Sequence, residues 1–524
     1  MEVMYMKALK TMWKKALILV PHQDDEIAVA GVLIKWLVEL QVEVYVCYAT
    51  NGDYEVKAEI RLEEAANALN VLGVPRNRII TLGYPDTSNE SEYEHLFYYN
   101  GKDVLHAKSG HAETYSAGDF VDYAFLTQKE HHPYHRLNFE FDVKHLMLNL
   151  MPDLCVCVDM DHHIDHRMLS LTFDKMMGKI LKECPGYQPT VWKAFAYGTN
   201  YSAIADYRTM NLESTKFPNT RLRNNKYRLD NPFYDWEKRI RLPNKNAWYR
   251  GPIENTPFYR ALECHVSQKA IVFAERAINS DQVFWERRSD NIMLHGKIEA
   301  SSGYALRLND FMLFDAETIH VVEELKLSGL WIPHKSDKEK KLILQLDKPY
   351  KLDYIAIWGI GKELEIKVEY AGKVILKKVD LLYGEWQLPF EDPIEIDNVQ
   401  LSFKYDEKHE FGIGEIEVFE KKDVITKYLK LLVDGNMHDT YYTWMHKPKI
   451  SVYRYCQYDL REKGELTYMI NGKVLSNFSR IPWTVFLFNR IIKIKVYEKN
   501  ATEICDEIEL IRMRFAEWLR ARKG

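Results

Sequence analysis

The 524-residue sequence lacks several features that mark exported or membrane-bound proteins. Its seven cysteines are few and odd in number, and no C-x-x-C pair occurs, so neither a disulfide framework nor a thiolate zinc site is encoded. The early apolar run at 16–20 is about five residues long, too short for a signal-peptide core or a membrane span. We therefore expect a cytoplasmic protein without a signal peptide or a transmembrane segment.

An excess of charge of one sign is also missing. Lysine and arginine total 71 against 76 aspartates and glutamates, and the net charge of −5 is too small to favour a polyanionic partner. We therefore expect no nucleic-acid partner. With 46% hydrophobic and 28% charged residues and no low-complexity block, the composition is that of ordinary folded domains. At roughly 100–200 residues per domain, the length predicts two to four of them.

Residues 15–182 alternate short β-branched runs with longer amphipathic stretches, which is typical of βαβ units around a parallel sheet. Strands are predicted at 15–20, 42–49, 78–82 and 153–158, and helices at 28–40, 58–72, 139–150 and from near His166. Sheets of this kind carry their functional loops at the carboxyl ends of the strands.

The second half of the chain has a different pattern. Residues 185–260 show weak periodicity and are interpreted as loops and short elements, and 258–278 recover helical spacing. Predicted strands then follow at 341–346, 352–358, 363–370, 373–379 and 413–419, and again at 449–455, 466–470, 491–498 and 503–510. A basic amphipathic helix at about 512–522 ends the chain. The predicted fold is an α/β, Rossmann-like, mostly parallel domain at 1–290, followed by all-β sandwich domains at 291–422 and 423–524, the last immunoglobulin-like with a terminal helix.

Acidic, histidine-rich turns follow two of the predicted strands. The sequence Pro21-His22-Gln23-Asp24-Asp25-Glu26 follows the first strand, and 159–166 (DMDHHIDH) follows the strand at 153–158. Burying so much like charge is costly unless a cation is present. Catalytic zinc takes three histidine or carboxylate ligands and leaves one position for water, and His22, Asp25 and a histidine of the second turn satisfy that count. The sequence therefore predicts a divalent metal at this edge of the sheet.

These motifs resemble those of the LmbE-like or PIG-L family of metal-dependent N-acetylglucosamine deacetylases. That family has an (A/P)-H-P-D-D-E turn after its first strand and a later H-P-D-H or H-x-D-H turn, which here reads His163-Ile164-Asp165-His166. Other similar stretches are TNGD at 50–53, RLEEA at 61–65 followed by LG at 72–73, and LGYPD at 82–86. The resemblance covers about residues 15–185, and extends weakly to 290 through 261–268.

The resemblance implies a zinc-dependent de-N-acetylase that hydrolyses the acetamide of an N-acetylated amino sugar of the GlcNAc type, in a glycan or glycoconjugate. It implies that His22, Asp25 and His166 hold the metal, and that Asp24 is the general base for the attacking water. His163 would stabilise the oxyanion or protonate the departing amine. Iron(II) or another divalent metal suits the same ligands.

The resemblance also implies that Arg61 and Asp86 bind sugar or phosphate groups of the substrate. Two positions differ from the family pattern, and a third offers an alternative metal ligand. Gln23 replaces the usual proline, which should loosen the turn without removing a ligand. Asp161 stands where some members have a tyrosine, and His162 competes with His166 as a metal ligand.

Two alternative functions fit the same sequence: a carbohydrate-binding or scaffold protein with a non-productive deacetylase site, and a metal hydrolase of another amide or ester. Residues 292–420 resemble a galactose-binding-like β-sandwich, through 300–302, 330–333, 341–346 and 354–359. The long insertion at 87–138, rich in histidine and tyrosine, is either a substrate-enclosing loop or a structured surface insertion. The sequence specifies neither the sugar nor the oligomeric state.

Overall fold

The computed structural model describes most of the chain, and the structural statements below concern its described residues. These are 13–87, 103–159, 161, 163–196, 239–243, 248, 253–274, 278, 281–313, 330–391, 394–422, 425–434, 436–437, 440–444, 446–457, 465–475, 481–499 and 501–517. Within these ranges, no helix combines the length and the apolar character needed to span a bilayer.

The first part of the chain alternates strands with helices. In chain order its elements are β1 (Lys15–Val20), α1 (Asp25–Glu39), β2 (Glu43–Thr50), α2 (Ala58–Leu72), β3 (Ile79–Tyr84), α3 (Tyr123–Gln128), α4 (Arg136–Leu150), β4 (Leu154–Val158), α5 (Ile164–Glu183), β5 (Thr190–Ala194), β6 (Ile240–Pro243), α6 (Pro257–Cys264) and β7 (Asp281–Arg287). Short 3₁₀ turns occupy Arg76–Arg78, Ile253–Asn255, Ala270–Phe273 and Ile292–His295.

The seven strands form one sheet in the order β3-β2-β1-β4-β5-β7-β6. The first five strands are parallel, while β7 runs antiparallel to β5 and β6. The residues of β4 and all but the first of β1 are buried, as expected for central strands covered on both faces. Because the chain extends from β1 to β2 on one side and places β4 on the other, β1 and β4 form a topological switch point, where such sheets hold ligands. The prediction of a Rossmann-like, mostly parallel domain is confirmed.

The remaining elements are almost all strands. They are β8 (Lys297–Ala300), β9 (Lys341–Tyr370), β10 (Lys373–Pro389), β11 (Glu395–Lys404), β12 (Phe411–Glu420), β13 (Ile425–Val433), β14 (Asn436–Met437), β15 (Thr440–Thr443), β16 (Ile450–Gln457), β17 (Leu466–Ile470), β18 (Lys473–Leu475), a short helix α7 (Trp483–Phe488), β19 (Ile491–Glu498) and β20 (Ala501–Arg512).

These strands form two β units. In the first, β9 pairs with β8, β10, β11 and β12, and β11 pairs with both ends of β9, so that the sheet curls around its own apolar core. In the second, the sheets β14-β13-β16 and β15-β20-β19-β17-β18 share one core. The predicted all-β class of this half is confirmed, whereas the boundaries at 290/291 and 422/423 stay predictions.

Three predicted elements differ from the structure. The three separate strands predicted between 341 and 370 are one continuous strand, β9, which pairs with β11 on both sides of residues 347–349, at Gln345 and at Tyr350. The helical spacing at 258–278 yields α6, which ends at Cys264, and a 3₁₀ turn. The predicted terminal helix begins later than expected: Arg512 still belongs to β20, beside β19, and residues 515–517 are helical. The rest of the predicted helix lies outside the described part of the chain.

A buried ionic network joins α5 and β7 to the first β unit. Arg287, at the end of β7, donates to Glu417 of β12 at 3.1 Å and to the Phe311 carbonyl at 3.0 Å, and its other terminal nitrogen is 3.8 Å from Asp174 of α5. Lys193 of β5 donates to the same Asp174 at 2.9 Å. All of these charged groups are buried, so each needs its partner in the neighbouring element.

Gly178, in the middle of α5, marks how closely the two units pack. A Cβ at this position would overlap the carbonyl oxygen of Asp310 and crowd Phe311. The backbone of the segment before β9 therefore lies directly on the surface of α5, at a place where any side chain would separate the two.

We expect Gly178→Ala to destabilise the protein by about 1–3 kcal/mol, the usual cost of overpacking. In an uncrowded helix the same change stabilises the folded protein by roughly 1 kcal/mol, so a loss of stability would indicate the close packing at this position. Gly31→Ala in α1 is the matched control, because its new methyl group would meet the movable Ile27 side chain at 3.2 Å and Phe258 at 3.8 Å, an ordinary van der Waals contact. Calorimetric unfolding of both variants measures the difference, and a Gly178→Ala protein at least as stable as wild type contradicts the close packing.

Candidate active site

The turn after β1 places His22, Asp24 and Asp25 at the carboxyl edge of the sheet. Asp25 begins α1, so the chain passes directly from strand to helix. Gln23 is fully buried, and its side-chain amide donates to the Thr50 carbonyl at 2.8 Å. The loosening expected from the missing proline is therefore offset by this hydrogen bond to the end of β2.

The turn after β4 supplies the other imidazoles. His163 caps α5, since its Nδ1 accepts the backbone N–H of Asp165 at 3.2 Å, and the neutral ring then carries its proton on Nε2. Asp161 accepts the backbone N–H of His163 at 2.9 Å and contacts Nδ1 of His166 at 2.8 Å. Asp161, which stands where some family members have a tyrosine, thus orients His166. The alternative ligand His162 lies outside the described residues.

The two turns meet in one cluster at the β1–β4 switch point. The rings of His22 and His163 are 4.6 Å apart between centroids, and those of His163 and His166 are 4.9 Å apart. One ring nitrogen from each of these three histidines lies within 4.8 Å of the others. Asp25 lies between two of them, with Oδ2 at 3.1 Å from Nδ1 of His22 and 3.3 Å from Nε2 of His166.

These separations fit the ligands of one divalent cation. In a tetrahedral zinc site with bonds of about 2.0–2.1 Å, neighbouring ligand atoms are about 3.3 Å apart. The two contacts of Asp25 have this spacing. The far side of His22 is also occupied, because its Nε2 is 3.0 Å from Asp165 and 3.3 Å from Asp86. Carboxylates behind metal-binding imidazoles fix the ring orientation and raise its basicity.

Negative charge dominates the cluster. Its buried carboxylates are Asp25, Asp86, Asp161 and Asp165. Burial opposes a charged imidazole, but Asp161 and Asp25 outweigh that effect and raise the pKa of His166 to about 10. The same oxygens would attract a divalent cation, which displaces protons from its ligands on binding. The donor set therefore fits a divalent metal, and we regard the cluster as a candidate metal site.

Asp24 lies at the edge of this cluster. Its side chain is 18% exposed, whereas that of Asp25 is 5% exposed. Burial and the neighbouring charge of Asp25 raise the pKa of Asp24 to about 6, although the Arg61 guanidinium, 3.6 Å away, opposes the shift. A carboxylate with a pKa near neutrality is well matched to accepting a proton from water.

Arg61 and Asp86 are joined to each other in the wall of the site. Nη1 of Arg61 is 3.1 Å from Asp86 and donates to the Gly52 carbonyl at 3.3 Å, while Nη2 donates to the Gln23 carbonyl at 3.1 Å. Arg61 is 6% exposed. In this structure the pair holds the loops after β1, β2 and β3 together, and the implied contact with substrate stays a prediction.

The insertion before α4 contacts the outer rim of the site. Asp53 accepts the backbone N–H of Asp86 at 3.3 Å and the hydroxyl of Tyr115 at 2.9 Å. Thr87 donates to Asp165 through both its backbone N–H, at 3.0 Å, and its hydroxyl. The Tyr115 contact was not predictable from a local pattern, since 62 positions separate the partners. The substrate-enclosing role of the insertion stays a prediction.

The strand-end crevice with its histidines and carboxylates defines this part of the chain as an α/β domain with a candidate hydrolytic metal site. Residues 17–177 match the model of the family described as "PIG-L: GlcNAc-PI de-N-acetylase". The chain therefore carries a PIG-L family domain over these residues, as the motifs indicated. No curated protein sequence matches the chain.

Solved structures also match parts of the chain. N,N'-diacetylchitobiose deacetylase from Pyrococcus horikoshii is 15% identical over 55% of this chain and 90% of its own, with a TM-score of 0.31. A family 32 carbohydrate-binding module of NanJ from C. perfringens, solved with galactose, is 16% identical over 25% of this chain and 96% of its own, with a TM-score of 0.20. The Clostridium perfringens module CpGH89CBM32-6 is 20% identical over 25% of this chain and 99% of its own, with a TM-score of 0.17.

We expect the protein loaded with zinc to retain about one equivalent of metal, and His166→Ala to lose it, because this change removes a nitrogen that lies 3.3 Å from Asp25. Metal analysis after dialysis measures both. His106→Ala in the exposed part of the insertion is the control and should keep the metal. Stoichiometric zinc in His166→Ala would contradict the assignment and point to His162.

Proposed function

We propose that the PIG-L domain is a zinc-dependent de-N-acetylase that hydrolyses the acetamide of a GlcNAc-type amino sugar in a glycan or glycoconjugate. The observation that carries this proposal is the convergence of two turns on one cluster, with Asp24 at its edge. Asp25 contacts imidazoles from both turns, at 3.1 and 3.3 Å. The description of the matching family, a GlcNAc-PI de-N-acetylase, supports an acetamide as the bond that is hydrolysed and an amino sugar as the substrate that carries it.

His22, Asp25 and His166 would hold the metal in this proposal. Two of the three ligands have a carboxylate behind the ring, Asp165 for His22 and Asp161 for His166, so that each imidazole is fixed before metal arrives. When bound, a divalent metal polarises a carbonyl and lowers the pKa of water. The same ligands suit iron(II), so zinc itself is part of the proposal.

The chain's own residues would move the protons. Asp24, with its pKa raised to about 6, takes a proton from the attacking water. The water oxygen bonds to the acetyl carbon, and the carbon–nitrogen bond then breaks to give acetate and a free amine. His163 carries a proton on Nε2 because Nδ1 accepts the Asp165 N–H, so it would donate a hydrogen bond to the developing oxyanion. Asp24 would pass the proton it took from water to the departing nitrogen. Arg61 and Asp86 would hold the sugar near this point.

We expect Asp24→Asn to keep its metal and to lose at least about 100-fold in kcat, as the removal of a general base typically does. Release of free amine from N-acetylated saccharides measures the rate, and metal analysis is run on the same sample. Asp119→Asn is the control, because that side chain is 90% exposed. Unchanged turnover in Asp24→Asn would refute its role as the base.

A screen of N-acetylated saccharides with the metal-loaded wild type tests the activity itself. Amine release from at least one of them is the expected result. Saccharide binding without amine release would favour a carbohydrate-binding protein with a non-productive site, and turnover of another amide or ester alone would favour the broader hydrolase.

A further inference from the structure

The backbone of Asp24 has an unusual conformation for a residue that is not glycine. Its φ of 145° and ψ of −24° lie outside the regions that side chains with a Cβ normally adopt. Such conformations cost of order 1–3 kcal/mol and persist only where surrounding groups enforce them. The contacts of this one residue therefore identify what fixes the direction of its carboxylate.

Glu26 supplies the first of these contacts. Its Oε2 accepts the backbone N–H of Asp24 at 2.9 Å, across the turn into α1. The side chain of Glu26 is fully buried, and a buried carboxylate is costly unless it is paired. Its partner is His265, whose Nε2 lies 2.7 Å from Oε1 of Glu26.

His265 is itself firmly placed. It follows the last residue of α6, its backbone N–H donates to the Leu262 carbonyl at 3.1 Å, and its side chain is fully buried. Two residues later, the backbone N–H and the hydroxyl of Ser267 donate to Glu64 of α2 at 2.9 and 2.7 Å. The segment that carries His265 is thus anchored to the helix that also carries Arg61.

The pair joins distant parts of the chain. Glu26 and His265 are 239 residues apart, and His265 lies beyond the residues 17–177 that match the family. Burial works against a charged imidazole here, but the Glu26 carboxylate outweighs it and raises the pKa of His265. The contact is therefore an ion pair within the domain, close to the reacting groups but not among them.

We propose that His265 is a positioning residue for the reaction: through Glu26 it holds the backbone of Asp24 in its unusual conformation and so directs the carboxylate that takes the proton. The kinetic part of this inference rests on the proposed function, whereas the part that concerns the backbone does not.

The kinetic test is a set of variants of the metal-loaded full-length protein. His265→Ala should lower kcat about tenfold or more while KM stays within about twofold and the metal stays bound, because small misplacements of reacting groups cost that much or more. His265→Gln keeps an N–H donor for Glu26 and should recover most of the rate. In the Asp24→Asn background, His265→Ala should cause no further loss, because it acts through the carboxylate already removed.

The backbone test does not depend on activity. Amide hydrogen exchange, followed by mass spectrometry on peptides covering 20–27, should show faster exchange in His265→Ala than in wild type or His265→Gln. His145→Ala is the matched control: His145 lies in α4 of the same domain, outside the insertion, with Nδ1 3.2 Å from the Tyr123 hydroxyl, and its loss should leave kcat and exchange at 20–27 unchanged.

Each outcome decides the proposal. The proposal would be overturned by unchanged exchange at 20–27 in His265→Ala, or by an unchanged kcat with a lowered unfolding temperature. A further loss of kcat when His265→Ala is added to Asp24→Asn would also overturn it. If the wild type releases amine from no substrate, the proposed function fails, and the exchange measurement still decides whether His265 holds the turn.

Discussion

The need to neutralise buried carboxylates at one strand-end crevice organises the first domain. Asp25, Asp86 and Asp165 all contact the ring of His22 within 3.3 Å, and such an arrangement is unfavourable without positive charge. The domain meets this need with imidazoles from two turns, with Arg61 in the wall, and with a donor set that fits a divalent cation. The strand order makes the meeting possible, because β1 and β4 are neighbours in the sheet although the paired residues Ala16 and Leu154 are 138 positions apart in the sequence.

Local sequence patterns predicted the central sheet well. The helix at 58–72 was predicted with the bounds that the structure has, because its amphipathic pattern ends at Gly73, which adopts the left-handed conformation that glycine favours. The long strand β9 is split in the prediction because the residues between 346 and 352 lack a strand pattern, whereas pairing with β11 at Gln345 and again at Tyr350 and Lys351 continues the strand on both sides of them. Pairing over long distances decides such cases, and it cannot be read from a local pattern.

The candidate site, like the fold, was predictable from local patterns only in part. The motifs identified the residues that converge, since each lies directly after a strand of the predicted sheet. They gave no indication of the supporting contacts: Asp161 behind His166, Thr87 on Asp165, and His265 on Glu26. These contacts depend on how loops fold back in space. Spacing within a motif therefore predicts the reacting groups, and tertiary packing decides how they are oriented.

Gly178 has a consequence for how this chain can diverge. As long as the backbone at Asp310 lies against α5, position 178 can carry no side chain, and α5 is also the helix that begins with the motif containing His166. Replacing the first β unit by another module would therefore also require a change in the surface of α5. A chain that lost or replaced this unit would release position 178 from its restriction, so the residue found there in related sequences should report which of them keep the two units packed in this way.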